Sequence, residues 1–304
     1  MGVPAAGKEK GMKKENLPKW TGLSAYQIKM LAVLTMTIDH LGAYGFEVPL
    51  FAEHKTMLRL IGRMAAPLFL FLLTESIRHT KNKARFLRRL YLGAVWVGLF
   101  VTVTNYIWAD TIGRFRQSNI LFAYFYIAVY CIMIELLVLS IKQREWKKGA
   151  AAVAGMLATA VPHYICVWID NISFGEYGCT PEQAWTILDF VGSFVQSPLA
   201  AEYTILFVIM GVLMYFAKSK SGKAMVLVLF SLFCYFGGRS PALHTTMIQS
   251  VLGFPQYFMV LAVPVLLLYN GEKGKGSKYF FYLYYPLHRY GISVLAYVYR
   301  LFRN

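Results

Sequence analysis

The sequence predicts an all-α integral membrane protein, a polytopic bundle of about nine transmembrane helices with its N-terminus in the cytoplasm. Three observations predict this class. Hydrophobic residues make up 57% of the 304 residues and charged residues only 15%, against about 25% charged residues in soluble domains. Apolar runs long enough to cross a bilayer of roughly 30 Å recur along the whole chain. Lys and Arg cluster in the short segments between these runs, as the positive-inside rule describes for cytoplasmic loops.

The basic clusters fix the predicted order of the elements. Residues 1–23 form a basic cytoplasmic tail and residues 24–304 a single transmembrane domain. An inward N-terminus and nine spans satisfy every cluster, although the pattern also admits eight or ten. The acidic stretch 169–202 contains no Lys or Arg and is predicted to lie outside, with an interfacial or re-entrant helix in its middle. The predicted spans are 25–46, 57–77, 90–108, 119–141, 149–168, 203–217, 224–236, 255–269 and 279–300. Span seven is short, and residues 240–254 are predicted to complete it as a half-helix.

Composition also argues against several kinds of site. The net charge of +16 sits in loops between spans, where it reports orientation rather than a nucleic-acid partner. The four cysteines show neither CxxC spacing nor a neighbouring His cluster, so no metal site and no disulfide framework is predicted. The protein is therefore expected in a cell membrane, plasma or inner, as a multi-pass protein whose constant partner is the lipid bilayer.

The first two spans carry an unusual number of ionisable residues. A charged side chain at the bilayer centre costs about 2.5–3.5 kcal/mol on insertion scales, so such groups face the bundle interior or a water-filled cavity. We therefore place the chemistry in this interior. The groups concerned are Asp39, His40, Arg59, Arg63 and Glu75.

Helical rise brings three of the predicted site residues to similar depths. His40 lies roughly 22 Å above the inner end of span one, and Arg63 roughly 9 Å below the outer end of span two. His288 lies roughly 14 Å along span nine. These residues are expected to share a cavity between the midplane and the outer side. Pro67 is expected to kink span two just beyond Arg63.

Each polar residue also has a structural interpretation. Asp39 and His40 are either a hydrogen-bonded structural pair or a functional pair, and intramembrane position favours function. Arg63 is a fixed cation that binds an anion, holds a carboxylate or stabilises an oxyanion. For Glu75 we favour a salt bridge at the helix end with Arg78 or His79, and for Asn119 a helix cap. The basic linker 78–89 either reports topology or binds phosphates.

Several short motifs together resemble one known family. Ile38-Asp39-His40-Leu41-Gly42 is similar to the first-span motif of the TraX family. The segment Arg59–Arg63, followed by Pro67-Leu68-Phe69, resembles its second-span motif. Asn119-Ile120-Leu121-Phe122 and Tyr285-Pro286-Leu287-His288 follow in the family's order.

The resemblance implies a function. The family's founding member acetylates the N-terminus of F-type pilin, and the wider group of transmembrane acyltransferases delivers acetyl from cytoplasmic coenzyme A through an intramembrane histidine. It implies that His40 is the catalytic residue, supported by Asp39, Arg63 and His288. In that mechanism Asp39 or a neighbouring carboxylate would fix the tautomer of His40. The donor would be acetyl-CoA and the acceptor an amine on a peptide N-terminus, an amino sugar or a small molecule. The residues expected to bind the coenzyme A thioester are Arg59, Arg78, Lys81, Arg85, Arg88, Arg89, Asn119 and Tyr285.

Two other functions fit the same residues. In a proton-coupled transporter or permease, Asp39, His40 and Arg63 would form a proton relay. That class predicts two related halves with broken helices, and the sequence shows no clear halves. In a non-enzymatic membrane receptor or immunity protein the intramembrane charges would be structural. Binding of coenzyme A discriminates among the three.

Overall fold

The chain folds entirely into helices over the part that the structure describes. This computed structural model describes residues 22–115, 119–172, 179–199, 204–240, 252, 255–276 and 280–303. Of these residues 82% are helical, and their extended pairing is limited to an isolated bridge between Leu23 and Tyr269. The all-α prediction is confirmed.

The helices follow the predicted order of spans. The first half contains α1 (Ala25–Tyr44), α2 (Pro49–Glu53), α3 (Lys55–Gly62), α4 (Ala65–His79), α5 (Lys83–Ile112), α6 (Ile120–Gln143) and α7 (Trp146–Ala158). The second half contains α8 (Val161–Asn171), α9 (Pro181–Phe194), α10 (Thr204–Phe216), α11 (Lys220–Gly237), a 3₁₀ helix (Gln256–Ala262), α12 (Val263–Leu267) and α13 (Phe280–Arg303).

Among the described residues, five helical stretches are long and apolar enough to cross a membrane. They are Lys55–His79, Lys83–Ile112, Ile120–Gln143, Trp146–Asn171 and Lys220–Gly237. Ile205–Phe216 and Gln256–Leu267 are shorter apolar stretches at predicted spans six and eight. The helices α1 and α13 lie at predicted spans one and nine. The protein is therefore a helical membrane protein, whereas the count of nine and the inward N-terminus stay predictions, as does the half-helix 240–254, whose residues lie almost entirely outside the described ranges.

The second predicted span is interrupted at its arginine. α3 ends at Gly62 and α4 begins at Ala65, so Arg63 lies in the break. Pro67 has no N–H to bond the carbonyl of Arg63, and its ring clashes with that carbonyl in a regular helix. The helix is thus interrupted where Pro67 was expected to disturb it, and the interruption lies beside the polar cluster.

Two glycines let α1 and α3 approach closely. A Cβ on Gly62 would overlap Cβ and a carboxylate oxygen of Asp39, and a Cβ on Gly42 would lie 3.0 Å from Cβ of Leu58. The first of these approaches leaves no room for a larger side chain. The backbone of α3 is therefore held directly against the side chain of Asp39.

Main-chain hydrogen bonds fix the start of α1 to the segment that follows α12. The Leu23 N–H donates to the Leu268 carbonyl at 2.8 Å, and the Asn270 N–H donates to the Leu23 carbonyl at 2.9 Å. The Ala25 N–H donates to the carbonyl of Glu272 at 2.8 Å. These bonds satisfy backbone groups that α1 itself leaves open at its first turn. We call this pairing the terminal clamp.

The acidic stretch contains the helix predicted for its middle. α9 packs against α5, and a Cβ on Gly98 of α5 would lie 2.6 Å from Cα of Ser193. The Asp189 carboxylate is buried and accepts hydrogen bonds from Arg114 at 2.6 Å and Asn105 at 2.9 Å. α9 is therefore an integral part of the bundle.

Candidate functional site

A buried ion cluster joins α1 to the break in span two. Arg59 donates to Asp39 at 2.5 Å, and Arg63 donates to the other carboxylate oxygen. Arg63 also donates to Gln256 Oε1 at 3.1 Å and to the Arg59 carbonyl at 3.3 Å. Only 5% of Asp39 and 7% of Arg63 are exposed. We call Asp39, Arg59, Arg63 and Gln256 the ion cluster.

A pair of histidines joins α1 to α13. Nδ1 of His40 lies 2.6 Å from Nε2 of His288. The two ring planes differ by 9° and their centroids are 4.8 Å apart. Because this separation is only the N–N distance plus the two ring radii, the rings lie edge to edge in one plane. This is the geometry of an N–H···N hydrogen bond rather than of face-to-face stacking.

The hydrogen bonds assign the tautomers of both rings when they are neutral. Nδ1 of His288 lies 2.7 Å from the Tyr284 carbonyl oxygen, which can only accept, so this nitrogen carries the proton. Nε2 of His288 is then an acceptor, and His40 must donate to it from Nδ1. The remaining nitrogen, Nε2 of His40, carries a lone pair. We call His40 and His288 the histidine pair.

Aromatic groups surround the histidine pair on both sides. The Tyr284 ring lies parallel to the His288 ring with centroids 4.9 Å apart, and its hydroxyl lies 2.5 Å from Thr37 Oγ1. The Tyr44 ring meets the His40 ring edge-on at 5.3 Å. These contacts restrict rotation of both imidazoles, so the hydrogen bond between them is held in place.

The predicted site residues lie in two neighbouring clusters, the ion cluster and the histidine pair. Asp39 faces α3 and His40 faces α13, because consecutive residues on a helix point about 100° apart. The expectation that Asp39 or a neighbouring carboxylate fixes the His40 tautomer is wrong in this structure, where His288 makes that contact. The charges of Arg59 and Arg63 still lie within electrostatic range of the His40 ring.

The residues predicted to bind coenzyme A fall into two groups, those that already have partners within the protein and those whose side chains have none among the described residues. Arg59 belongs to the ion cluster. Asn119 caps α6, as favoured, by accepting from the Leu121 N–H at 3.0 Å, and its amide donates to the Ala94 carbonyl at 2.8 Å. Arg78 donates to the carbonyls of Tyr215 and Lys218. The side chains of four residues are exposed and have no hydrogen-bond or ion-pair partner among the described residues: Lys81, Arg85, Arg88 and Arg89.

Two further predicted residues have unexpected neighbours. Tyr285 lies beside the histidine pair, its ring 6.2 Å from that of His288. Glu75 contacts His79 at 3.6 Å, as expected, but its principal partner is Lys223 and not Arg78. Lys223 comes from α11, which sequence spacing could not bring next to α4.

Sequence reasoning missed three contributors to this site, Gln256, Tyr284 and Arg289. Gln256 completes the ion cluster, Tyr284 orients His288, and Arg289 lies over the rings of Tyr44 and Phe115. For Arg289 a signal was present, because it is an ionisable residue within a span, directly after His288. The same free-energy cost that singled out Arg63 applies to it. No group of His, Cys, Asp and Glu suited to a metal ion occurs among the described residues.

Helices long and apolar enough to cross a membrane, together with a histidine pair and an ion cluster between helices, define a helical membrane protein with an internal polar site. The family described as TraX protein matches residues 24–296, nearly the whole chain. The chain belongs to the TraX family.

One curated relative is similar over part of its length. The probable fimbrial assembly protein FimC, serogroup H1, of Dichelobacter nodosus is 28% identical over 113 residues. The similar region covers 33% of this chain and 41% of that protein, so the two are alike over less than half of either length. No solved structure matches the chain.

Proposed function

We propose that this protein is a transmembrane acetyltransferase, which moves acetyl from cytoplasmic acetyl-CoA to an amine at the outer side of the membrane. One observation carries the proposal, the hydrogen-bond chain from the Tyr284 carbonyl through His288 to His40. This chain leaves Nε2 of His40 as an unprotonated nitrogen in a polar interior. A nitrogen oriented by a second group is the arrangement that general bases and nucleophiles share.

The chemistry then follows from that lone pair. As the amine nitrogen bonds to the thioester carbonyl carbon, Nε2 of His40 takes the amine's proton and the carbonyl π electrons move to oxygen. Collapse of the tetrahedral intermediate breaks the C–S bond, and the coenzyme A thiolate takes the proton from His40. In the two-step variant Nε2 itself bonds to the carbonyl carbon and expels the thiolate. The amine nitrogen then bonds to that carbon, the bond between Nε2 and the carbon breaks, and the freed Nε2 takes the amine's proton and passes it to the thiolate.

The exposed cations of the basic linker support a site for the donor. Arg85, Arg88 and Arg89 recur at helical spacing in the first turns of α5, and their guanidinium groups are unpartnered within the described residues. Arginine binds phosphate through paired N–H donors. With Lys81, these residues would bind the phosphates of coenzyme A, whose site we place at the cytoplasmic side of a plasma or inner membrane.

A peptide N-terminus is the acceptor that we favour. The similarity to a fimbrial assembly protein supports a substrate related to pilin subunits. An α-amino group has an unperturbed pKa of about 7.7–8.0, so a fraction of it is neutral and nucleophilic near neutral pH. Such an acceptor needs only modest help from His40 to lose its proton.

The test is acetyl transfer by the purified protein in lipid nanodiscs, with radiolabelled acetyl-CoA and a peptide whose N-terminus is free. Wild-type protein is expected to label the peptide and release coenzyme A. His40→Ala is expected to lose turnover, whereas His54→Ala, which removes an exposed histidine, is expected to keep it. Absence of both acetyl-CoA binding and transfer to any amine would overturn the proposal and favour a transporter or receptor. A folded His40→Ala variant with full turnover would remove the catalytic assignment alone.

A further inference from the structure

Arg289 is a cation of the site that has no acidic partner. Its guanidinium carbon lies 4.9 Å from the Tyr44 ring centroid and 4.5 Å from that of Phe115. Its Nε is buried without a hydrogen-bond partner, and its side chain forms no ion pair or hydrogen bond with any residue that the structure describes. Cation–π contacts compensate only part of the free energy that a guanidinium loses on leaving water.

The other arginines of the site differ from Arg289 in this respect. Arg59 and Arg63 share the carboxylate of Asp39, and all three nitrogens of the Arg63 side chain donate within the protein. Arg63 therefore has little capacity left for the oxyanion role that the sequence suggested. Arg289 keeps the donors of its two terminal nitrogens available, which is the property that an anion-binding residue needs.

Arg289 also lies close to the histidine pair. It follows His288 directly on α13, and the Tyr44 ring that it covers meets the His40 ring edge-on. Its charge lies within electrostatic range of His40. Tyr44 and Phe115 themselves pack against each other, with ring centroids 5.7 Å apart. Together they form an aromatic platform that fixes the guanidinium beside the reacting centre.

We propose that Arg289 is the anion-binding residue of the site, and that it binds the thioester carbonyl oxygen as that oxygen becomes negatively charged. This inference rests on the proposed acetyl transfer. When the amine or His40 bonds to the carbonyl carbon, the π electrons move to oxygen, and the guanidinium donates to the oxygen without giving up its proton. When the C–S bond breaks, the electrons return and the carbonyl re-forms. The stabilisation exists only while the charge is present, so it lowers the barrier rather than strengthening substrate binding.

The first experiment needs no turnover. Thermal unfolding of wild-type protein in nanodiscs is followed while acetate, a small carboxylate that imitates the acyl oxygen anion, is added, with acetamide as its neutral counterpart. Acetate is expected to raise the melting temperature of wild-type protein and acetamide to leave it unchanged. Arg289→Gln is expected to abolish the acetate effect. Arg300→Gln is the matched control on the same helix, because Arg300 already has Glu47 as an acidic partner and covers the Tyr297 ring.

The stability of Arg289→Gln without ligand separates a functional from a structural role. Removing an unpaired cation from a half-buried position is expected to leave the melting temperature equal to or above that of wild-type protein. A clear fall in melting temperature, or an acetate effect that survives in Arg289→Gln, would overturn the assignment.

The second experiment measures acetyl transfer. Arg289→Gln is expected to lower kcat by about 10²- to 10³-fold. The KM for acetyl-CoA is expected to stay within about twofold, because the lost interaction is made only in the transition state. Arg289→Lys keeps the charge and is expected to recover part of the loss. Unchanged kcat in Arg289→Gln would overturn the proposal. If wild-type protein transfers no acetyl at all, the proposed function fails, and the acetate titration still decides whether Arg289 binds an anion.

Discussion

The ammonium group of Lys223 on α11 donates a hydrogen bond to the carboxylate of Glu75 on α4. Lys223 is only 1% exposed, and its Nζ also donates to Thr74 Oγ1 at 2.9 Å and lies 5.1 Å from the Phe71 ring centroid. The Glu75 side chain is 17% exposed, so breaking the pair from the lysine side leaves a carboxylate that water reaches only in part, which is costly. This pair therefore ties the two helices together.

Removing one partner of this pair is expected to be strongly destabilising. Lys223→Met leaves the Glu75 carboxylate without its cation and should lower the free energy of unfolding by about 3–5 kcal/mol. The double variant Lys223→Met/Glu75→Leu removes both charges and is expected to recover most of the loss. Thermal unfolding in nanodiscs measures both. The control is Lys148→Met, which breaks an exposed pair with Glu145 and should cost less than about 1 kcal/mol. Equal losses in the single and double variants would contradict the interpretation.

Gly62→Ala is expected to damage the ion cluster. The new Cβ would overlap Asp39, so α3 or the aspartate must move, and overpacking of this kind costs about 1–3 kcal/mol. A fall in melting temperature together with reduced acetyl transfer is the expected result. Gly149→Ala is the matched control, because its Cβ would meet Ser140 at an ordinary 3.6 Å and should raise stability slightly through helix propensity. If Gly62→Ala were as stable as Gly149→Ala, the close packing would not be required.

His288 is expected to act through the tautomer of His40. His288→Leu removes the acceptor for Nδ1 of His40 and should lower kcat by about 10²-fold or more, in the range found for general acid–base groups. His288→Gln offers an amide oxygen at a similar distance and should retain more activity.

Nitrogen NMR of the 15N-histidine-labelled protein provides a readout that does not depend on turnover. We expect the proton on Nδ1 of His40 in wild-type protein and a mixture of tautomers in His288→Leu. A single unchanged tautomer in His288→Leu would show that another group orients the ring.

The exposed arginines of the basic linker are expected to act on donor binding. Reversing the charges of Arg85, Arg88 and Arg89 to Glu should raise KM for acetyl-CoA at least about tenfold and leave kcat nearly unchanged. The control reverses Lys142 at the end of α6, Arg144 in the linker and Lys147 at the start of α7, which are all exposed. A similar rise in KM for both triple variants would indicate a general effect of charge.

Arg78 should behave differently from these neighbours. Its guanidinium bonds the carbonyls of Tyr215 at 2.6 Å and Lys218 at 3.2 Å, at the end of α10. Arg78→Ala is therefore expected to lower the melting temperature more than it changes KM. A large rise in KM for acetyl-CoA with an unchanged melting temperature would indicate instead that Arg78 binds the donor.

Patterns within a single element were predictable from the sequence. The apolar runs give the helices, Pro67 gives the break beside Arg63, and Asn119 gives the cap of α6. Each of these depends on residues within a few positions of one another, where helix geometry and backbone sterics decide the outcome. The free-energy cost of intramembrane charge likewise selected Asp39 correctly as an interior residue.

Pairings between distant elements were not predictable in the same way. Asp39 was expected to orient His40, yet adjacent residues on a helix face different neighbours. The actual partner, His288, follows from how α13 packs against α1, and the principal partner of Glu75 is Lys223, which is 148 positions away in the chain. Hydropathy does not encode such neighbours, because every span is apolar enough to pack against every other. Depth estimates predict which residues lie at the same height in the membrane. They do not predict which neighbouring helix each side chain faces.

The terminal clamp affects where a fusion partner or an affinity tag can be attached to the protein. Because the N–H groups of Leu23 and Ala25 pair with the chain around Leu268 and Glu272, a bulky fusion partner attached directly ahead of residue 22 would compete for that backbone. Its effect would be passed along α1 to His40, which lies more than four turns away. An affinity tag placed after Asn304 avoids this competition.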